Sequence, residues 1–272
     1  MEEQLAFEKL KKLIHETRGL DVNLYKENYL KRRLAVRMRA LQLGTYEAYI
    51  KWLETYKDEF SILLDKLTIN VTQFFRDPEI FVEFESNILP PMLEAGIGVK
   101  AWSAGCSSGE EPYSIAMSIE EAAERNGFKA GDYEIQATDI DDGALYSAIA
   151  GKYEGRTLEN IAEGRRKKYF NFDGKSYTIG DAVKKHVKFI KANLMEPYKR
   201  NYFDFVFCRN VIIYFSKDLQ RRVIGYYHDA LKPGGIFFMG KTETMLMDMR
   251  DRFECINIKE RIFKKISKEE QI

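Results

Sequence analysis

The stretch Ser103-Ala104-Gly105-Cys106-Ser107-Ser108-Gly109-Glu110-Glu111 has the residue types and spacing that most directly imply chemistry in this 272-residue chain. A glycine-bearing turn between a strand and a helix lets backbone approach a ligand closely. A nucleoside triphosphate would call for G-x-x-x-x-G-K-[ST]. No lysine is present, and Glu110 and Glu111 open the helix where they would repel a pyrophosphate. A dinucleotide would call for G-x-G-x-x-G, of which only Gly105 and Gly109 are found. Gly105 to Gly109 also matches G-x-S-x-G, which would make Ser107 a nucleophile with His186 or His228 as its base. That elbow needs preceding strands and an upstream oxyanion loop, whereas the sequence before it reads as helix or linker with no His-Gly motif. The plain alternative is a tight turn that binds nothing.

A nucleoside ligand without phosphate and with positive charge fits two helix-opening carboxylates better, and S-adenosylmethionine is such a ligand. Asp139, at the end of the next strand, is placed to accept hydrogen bonds from ribose hydroxyls, as an acid does in dinucleotide folds. Its competing role is to cap the following helix, together with Asp141 and Asp142.

The elements that must hold these residues follow from the pattern of apolar side chains. Up to about Leu67 the chain reads as helix: Leu30, Leu34, Met38 and Leu41, then Tyr46, Tyr49, Ile50 and Leu53, recur at helical spacing, with Gly19 and Gly44 as stops. Thr68 to Asp77 turns β-branched and aromatic, and Pro78 and Pro90-Pro91 mark breaks. From Val99 onward strands alternate with helices. Strands are expected over 99–102, 133–138, 187–192, 203–208 and 236–239, and helices over 110–125, 142–150 and 217–231. A terminal antiparallel pair is expected over 253–256 and 261–264. Such alternation means a mostly parallel sheet with helices on both faces, in which ligands bind beyond the carboxyl ends of the strands. Gly151 to His186, basic and rich in Tyr and Phe with an Asp173-Gly174 turn signal, reads as an inserted subdomain. The organisation is therefore an all-helical domain over 1–75, a linker over 76–90, and an α/β domain over 91–272 with an insert at about 151–186.

Composition excludes several classes. Lys plus Arg is 43 against 42 acids, a net charge of +1, which disfavours a dedicated nucleic-acid binder. No apolar run is long enough to span a bilayer, and the acidic N-terminus does not resemble a signal peptide. Cys106, Cys208 and Cys255 read as reduced cytosolic thiols, and scattered cysteines and histidines leave no metal site in view.

Several segments together resemble the chemotaxis receptor methyltransferases of the CheR family. They are Asn70-Val71-Thr72-Gln73-Phe74-Phe75-Arg76, Trp102 to Ser114, Ala137 to Asp141, Asn193-Leu194, Phe207 to Phe215, and Leu231 to Gly235. The resemblance spans essentially the whole chain. It implies a Rossmann-like S-adenosylmethionine methyltransferase domain with a small inserted β-subdomain, preceded by an all-helical domain. It further implies an S-adenosylmethionine-dependent protein-glutamate O-methyltransferase that releases S-adenosylhomocysteine, uses no metal, and acts in the cytoplasm on the helical cytoplasmic domains of chemoreceptors. By matching position, Asn70, Thr72, Arg76, Gly105, Glu111, Asp139, Asn193, Leu194, Arg209 and Asn210 are expected to form the cofactor site. Arg76 and Tyr214 are expected beside the methyl group and the incoming glutamate.

Lys31, Arg32, Arg33, Arg37 and Arg39 lie in one helix with no acid among them. In a neutral chain this asymmetry suits an acidic helical partner such as a receptor methylation helix, although runs of charge are usually solvated faces. Nucleic acid is the competing partner, but no aromatic stacking platform accompanies the cluster. The resemblance also implies that members gripping a receptor tether carry a glycine-rich loop in the insert. The short segment 169–177 has one glycine and so resembles a tether-independent enzyme. Two other functions share these residues: methylation of a different protein or small-molecule carboxylate, and non-catalytic sensing of S-adenosylmethionine.

Overall fold

The structure, a computed structural model, describes residues 2–18, 21–67, 72–128 and 131–266. The chain divides into two compact units, 1–70 with 214–220, and 71–213 with 221–272.

The first unit is built on four helices, α1 (Glu2–Arg18), α2 (Glu27–Ala40), α3 (Tyr46–Thr55) and α4 (Glu59–Leu67). The periodic apolar residues do what their spacing demands: Leu10, Ile14, Leu34, Tyr49, Leu53 and Leu63 are fully buried. α3 starts at Thr45, whose side chain accepts from the Ala48 N–H. Gly44 lies beyond the end of α2 as expected, whereas Gly19 falls outside the described residues. The segment 214–220 is tied to this unit by backbone: Lys26 N donates to Tyr214 O, Ser216 N donates to Leu24 O, and Tyr25 bridges Phe215.

The second unit begins with α5 (Pro78–Glu83), a π-helical stretch (Phe84–Ile88) and α6 (Leu89–Glu94). Residues 76–90, expected as a linker, are thus mostly helical and part of the core. Their prolines are initiators, since Pro78 and the Pro90-Pro91 pair stand in first turns, where a missing N–H costs nothing. Phe84, fully buried, meets Phe205, Phe207 and Phe238 edge-on at 5.1–5.4 Å.

Then follow β1 (Lys100–Ala104), α7 (Glu110–Arg125), β2 (Glu134–Asp139) and α8 (Asp142–Ala150). The insert contains β3 (Lys152–Tyr153), α9 (Glu163–Tyr169), β4 (Phe170–Phe172), β5 (Tyr177–Ile179) and α10 (Asp181–Lys184). The main sheet resumes with β6 (Val187–Lys191), β7 (Phe203–Cys208), α11 (Lys217–Ala230), β8 (Leu231–Met239), β9 (Phe253–Asn257) and β10 (Ile262–Lys265). The seven-stranded sheet has the order β6-β2-β1-β7-β8-β10-β9. Its first five strands are parallel, and β10 and β9 are antiparallel. The insert forms a separate antiparallel sheet, β3-β5-β4, turning at Asp173 to Ser176. The fold is an α/β doubly wound sheet with an inserted β-subdomain, preceded by an all-helical unit.

Candidate active site

The parallel strands all run the same way, so their carboxyl ends deliver Gly105, Asp139, Asn193, Arg209 and Gly240 to one edge of the sheet. At the end of β1 the chain turns sharply. Gly105 and Gly109 have φ of +81° and +94°, and Ser107 joins them at +48°. Glycine is required at 105 for space as well as conformation, because an added Cβ would sit 2.8 Å from Val211 Cγ2 and 3.5 Å from Leu194 Cδ1.

The backbone of this loop decides what it can hold. Gly105 N and Cys106 N both donate to Thr138 O, at 2.8 and 3.0 Å, and Ser107 N donates to Asp139 Oδ2 at 2.8 Å. Three successive N–H groups that a phosphate-binding loop would offer to its ligand are spent on β2. Ser107 is only 6% exposed, which disposes of it as an exposed nucleophile.

Asp139 is 8% exposed, and burial raises its carboxyl pKa, against the pull of backbone N–H groups. It also accepts from Asp141 N at 3.0 Å. The helix-capping duty falls elsewhere: Asp141 is the N-cap of α8 and accepts from Ala144 N at 3.1 Å. Ala192 N donates to Asp139 O, which carries the β2–β6 pairing to the strand ends and brings up Asn193, whose Oδ1 accepts from Met195 N at 3.0 Å.

Arg76 is half-buried in a loop whose neighbours are both left-handed, Phe75 at φ +50° and Asp77 at +54°. Such φ values are disfavoured for Phe and persist only where surroundings enforce them. Phe75 N donates to Ser114 Oγ at 3.0 Å, and the Arg165 guanidinium lies 4.0 Å from the Phe75 ring centroid. Arg209 Nη2 donates to Arg76 O and to Asp77 Oδ2, each at 2.7 Å, while its Nη1 lies 3.6 Å from Glu111 Oε2. The Arg209 side chain is 2% exposed, and its Nε is buried without a hydrogen-bond partner. Expected as a cofactor contact, it also fixes the loop that presents Arg76.

Glu111, mostly buried, accepts from Ser103 Oγ at 2.7 Å. Burial raises its pKa, with Arg209, the Ser103 hydroxyl and Arg76 pulling the other way. Asn210 sits at φ +62°, and its Oδ1 is buried without a hydrogen-bond partner. A buried, unpaired acceptor is costly in isolation and calls for a donor from a ligand. Thr72, half-buried, is four residues before Arg76, and Asn70 lies outside the described residues.

Glu110, read from the sequence as an acid that opens its helix, is found buried. It is 3% exposed, takes the Ser108 hydroxyl on both oxygens, and burial pushes its carboxyl up to about 7. Because the folded pKa is raised, its favourable contribution is present at low pH and lost as pH rises through about 7. Glu110→Gln is therefore expected to raise the melting temperature by several degrees, roughly 1–3 kcal/mol, at about pH 8 and by almost nothing at about pH 5, as calorimetry would show.

In the other unit, the Tyr214 ring lies 4.7 Å from that of Tyr29, whose hydroxyl donates to Leu67 O at 2.5 Å. The five basic residues of α2 separate by environment. Lys31 pairs with Glu27 at 2.5 Å, and Arg33 lies over the Tyr29 ring at 5.6 Å. Arg32 and Arg39 are exposed. Arg37 instead makes two bonds to Glu59, at 2.7 and 2.5 Å, and Tyr49 donates to the same carboxylate at 2.9 Å. Burial alone would raise the Glu59 carboxyl, but Arg37 and Tyr49 together hold it below its ordinary value. Removing one member of such a pair strands the other. Arg37→Ala is expected to cost about 3 kcal/mol in denaturant unfolding, whereas Arg32→Ala and Arg39→Ala stay within about 0.5 kcal/mol.

Sequence reasoning missed Arg165, and gave no role to Ser103, Asp77 and Ser114, which stand at the ends of the segments it singled out. Glu243 is 2% exposed and accepts from Gly240 N and Ile213 N at the end of β8.

Residues 5–68 match the family described as "CheR methyltransferase, all-alpha domain", and residues 70–262 match "CheR methyltransferase, SAM binding domain". The chain belongs to the CheR methyltransferase family. It is 35% identical over 232 residues to the "Chemotaxis protein methyltransferase" of Listeria monocytogenes, covering 84% of this chain and 86% of that one. It is 32% identical over 258 residues to "Chemotaxis protein methyltransferase 1" of Pseudomonas aeruginosa, covering 92% and 93%. The CheR domain boundary at 68–70 coincides with the division into units, except that 214–220 returns to the helical unit. The strand-end chemistry fits S-adenosylmethionine. Asp139, Glu111 and the orphaned Asn210 Oδ1 are acceptors suited to hydroxyl and ammonium donors, and the loop N–H groups are withheld from phosphate. Among the described residues no group of three His, Cys, Asp or Glu could hold a metal, and no helix is long and apolar enough to cross a membrane.

Proposed function

We propose that this CheR protein forms methyl esters on glutamate side chains of chemoreceptor cytoplasmic helices, serving sensory adaptation in the cytoplasm. The observation that carries the reading is the acceptor-lined strand end beside a rigid loop presenting Arg76. Its relatives carry chemotaxis in their names.

The bound cofactor supplies an activated methyl group on a sulfonium. A glutamate side chain, with a reference pKa of about 4.3, is already a carboxylate at neutral pH and needs no general base. The work left to the protein is to align the reactants and exclude water, with the reacting atoms roughly 3 to 3.5 Å apart. Arg76 offers a planar guanidinium fork that orients a carboxylate without taking its proton. Tyr214 donates a hydrogen bond to the remaining oxygen. Asp139 accepts the ribose hydroxyls, while Asn70, Thr72, Arg76, Gly105, Glu111, Asn193, Leu194, Arg209 and Asn210 complete the cofactor site. Arg32 and Arg39, exposed on α2, steer an acidic receptor helix. The closed Asp173 turn, whose Oδ1 accepts from Lys175 N and Ser176 N, supports action independent of a receptor tether.

Incubation with methyl-labelled S-adenosylmethionine and a mixture of receptor cytoplasmic fragment and free glutamate tests the acceptor. Label confined to the receptor fragment is expected. Label on free glutamate, or none at all, would overturn the reading.

A further inference from the structure

We propose that Glu243 is the positioning residue of the cofactor site, gathering the N–H groups of the turn after β7 so that Asn210 is aimed at the ligand. This rests on the reading that the strand ends bind S-adenosylmethionine. Glu243 Oε2 accepts from Gly240 N at 2.7 Å and Oε1 from Ile213 N at 3.3 Å. The N–H groups of Asn210 and Val211 also help hold its carboxyl down. One buried carboxylate thus satisfies donors of a turn whose first residue, Asn210, is left-handed and carries an unpaired buried Oδ1. The turn and the carboxylate are locked at close quarters. A Cβ on Gly240 would lie 2.7 Å from Asn210 N, 2.9 Å from Asn210 Nδ2 and 3.0 Å from Glu243 Oε2. Without the carboxylate the turn loses its acceptor and Asn210 loses the conformation in which its Oδ1 is left unpaired by the protein.

The arrangement has a protonation signature. Burial pushes the Glu243 carboxyl up to about 7 against its backbone hydrogen bonds. The titratable groups that sense it are Cys208 on β7 and Tyr227 on α11, both raised well above their ordinary values by burial and neutral across the working range. Glu243 is thus charged, and the turn fully held, above about pH 7, and it becomes a neutral acid below that. A neutral Glu243 resembles glutamine in shape and in lost acceptor strength.

The test is calorimetric titration of the full-length protein with S-adenosylhomocysteine, at about pH 8 and about pH 6, for wild type, Glu243→Gln and Glu243→Asp. Glu243→Gln is expected to weaken binding at least about tenfold at the higher pH and by under about threefold at the lower, where the wild type is itself protonated. Glu243→Asp keeps the carboxyl but withdraws it, so its penalty should likewise be largest at the higher pH, and it serves alone if Glu243→Gln does not fold. Glu110 also titrates near 7, and comparing variants at each pH cancels its share. A pH-independent penalty for Glu243→Gln, affinity equal to wild type, or Glu243→Asp binding as wild type would overturn the positioning role. A wild type that does not bind S-adenosylhomocysteine would instead remove the cofactor reading beneath it.

Discussion

Arg76→Ala should lower methyl transfer to a receptor fragment roughly a thousandfold, while weakening S-adenosylhomocysteine binding by less than about tenfold. The split follows from how the residue is held. Arg209 grips the Arg76 carbonyl and the Asp77 carboxylate, and Ser114 takes the Phe75 N–H. These bonds are made by the Arg76 carbonyl, Asp77, the Phe75 N–H and Ser114, and truncating the Arg76 side chain leaves them in place. What disappears is the fork that aligns an acceptor carboxylate. Arg76→Lys keeps the charge but loses the planar, two-point geometry, and should recover only part of the loss. Steady-state kinetics with the receptor fragment varied, beside calorimetric binding, reads both quantities. Turnover near the wild-type rate in Arg76→Ala would remove Arg76 from the chemistry.

Asp139→Asn should weaken cofactor binding roughly 10- to 100-fold with similar loss of kcat/KM. Asp139 accepts from Ser107 N on one oxygen and from Asp141 N on the other. An amide puts a donor against one of those N–H groups, so the variant loses a backbone anchor of the glycine loop together with the acceptor of the ribose hydroxyls. Because α8 is capped by Asp141, the helix itself should survive, and the melting temperature without ligand should fall by only a few degrees. Binding unchanged in a folded Asp139→Asn would return Asp139 to a structural role.

The regular elements were legible because periodicity and burial agree. The helices at 110–125 and 142–150 and the strand at 203–208 stand where the pattern places them. The segment 76–90 was misread for a physical reason. Proline marks both breaks and helix starts, and local sequence does not say which until Phe84 is seen buried among Phe205, Phe207 and Phe238. β8 starts five residues earlier than expected, at Leu231, because the Pro233-Gly234-Gly235 stretch is taken up in an irregular pairing with β7 rather than looped out.

The site was legible as a set of strand-end residues but not as a machine. Phe75, Asp77, Ser107 and Asn210 all take positive φ, which no sequence pattern signals for Phe or Ser; tertiary bonds impose it. Arg209 carried the motif of a binding residue, and only its geometry shows that it also holds Asp77 and faces Glu111. Glu243 has no role legible in the sequence, because its worth depends on an N–H group some thirty residues away.

The most direct test of the central claim is the chemical nature of the transferred methyl. Receptor cytoplasmic fragment labelled by this protein from methyl-labelled S-adenosylmethionine would be treated with mild base, and the volatile fraction counted. A glutamyl methyl ester releases its label as methanol, and the account predicts that essentially all label leaves this way and maps to glutamate side chains. Label that survives base, as a methylated amine would, contradicts it.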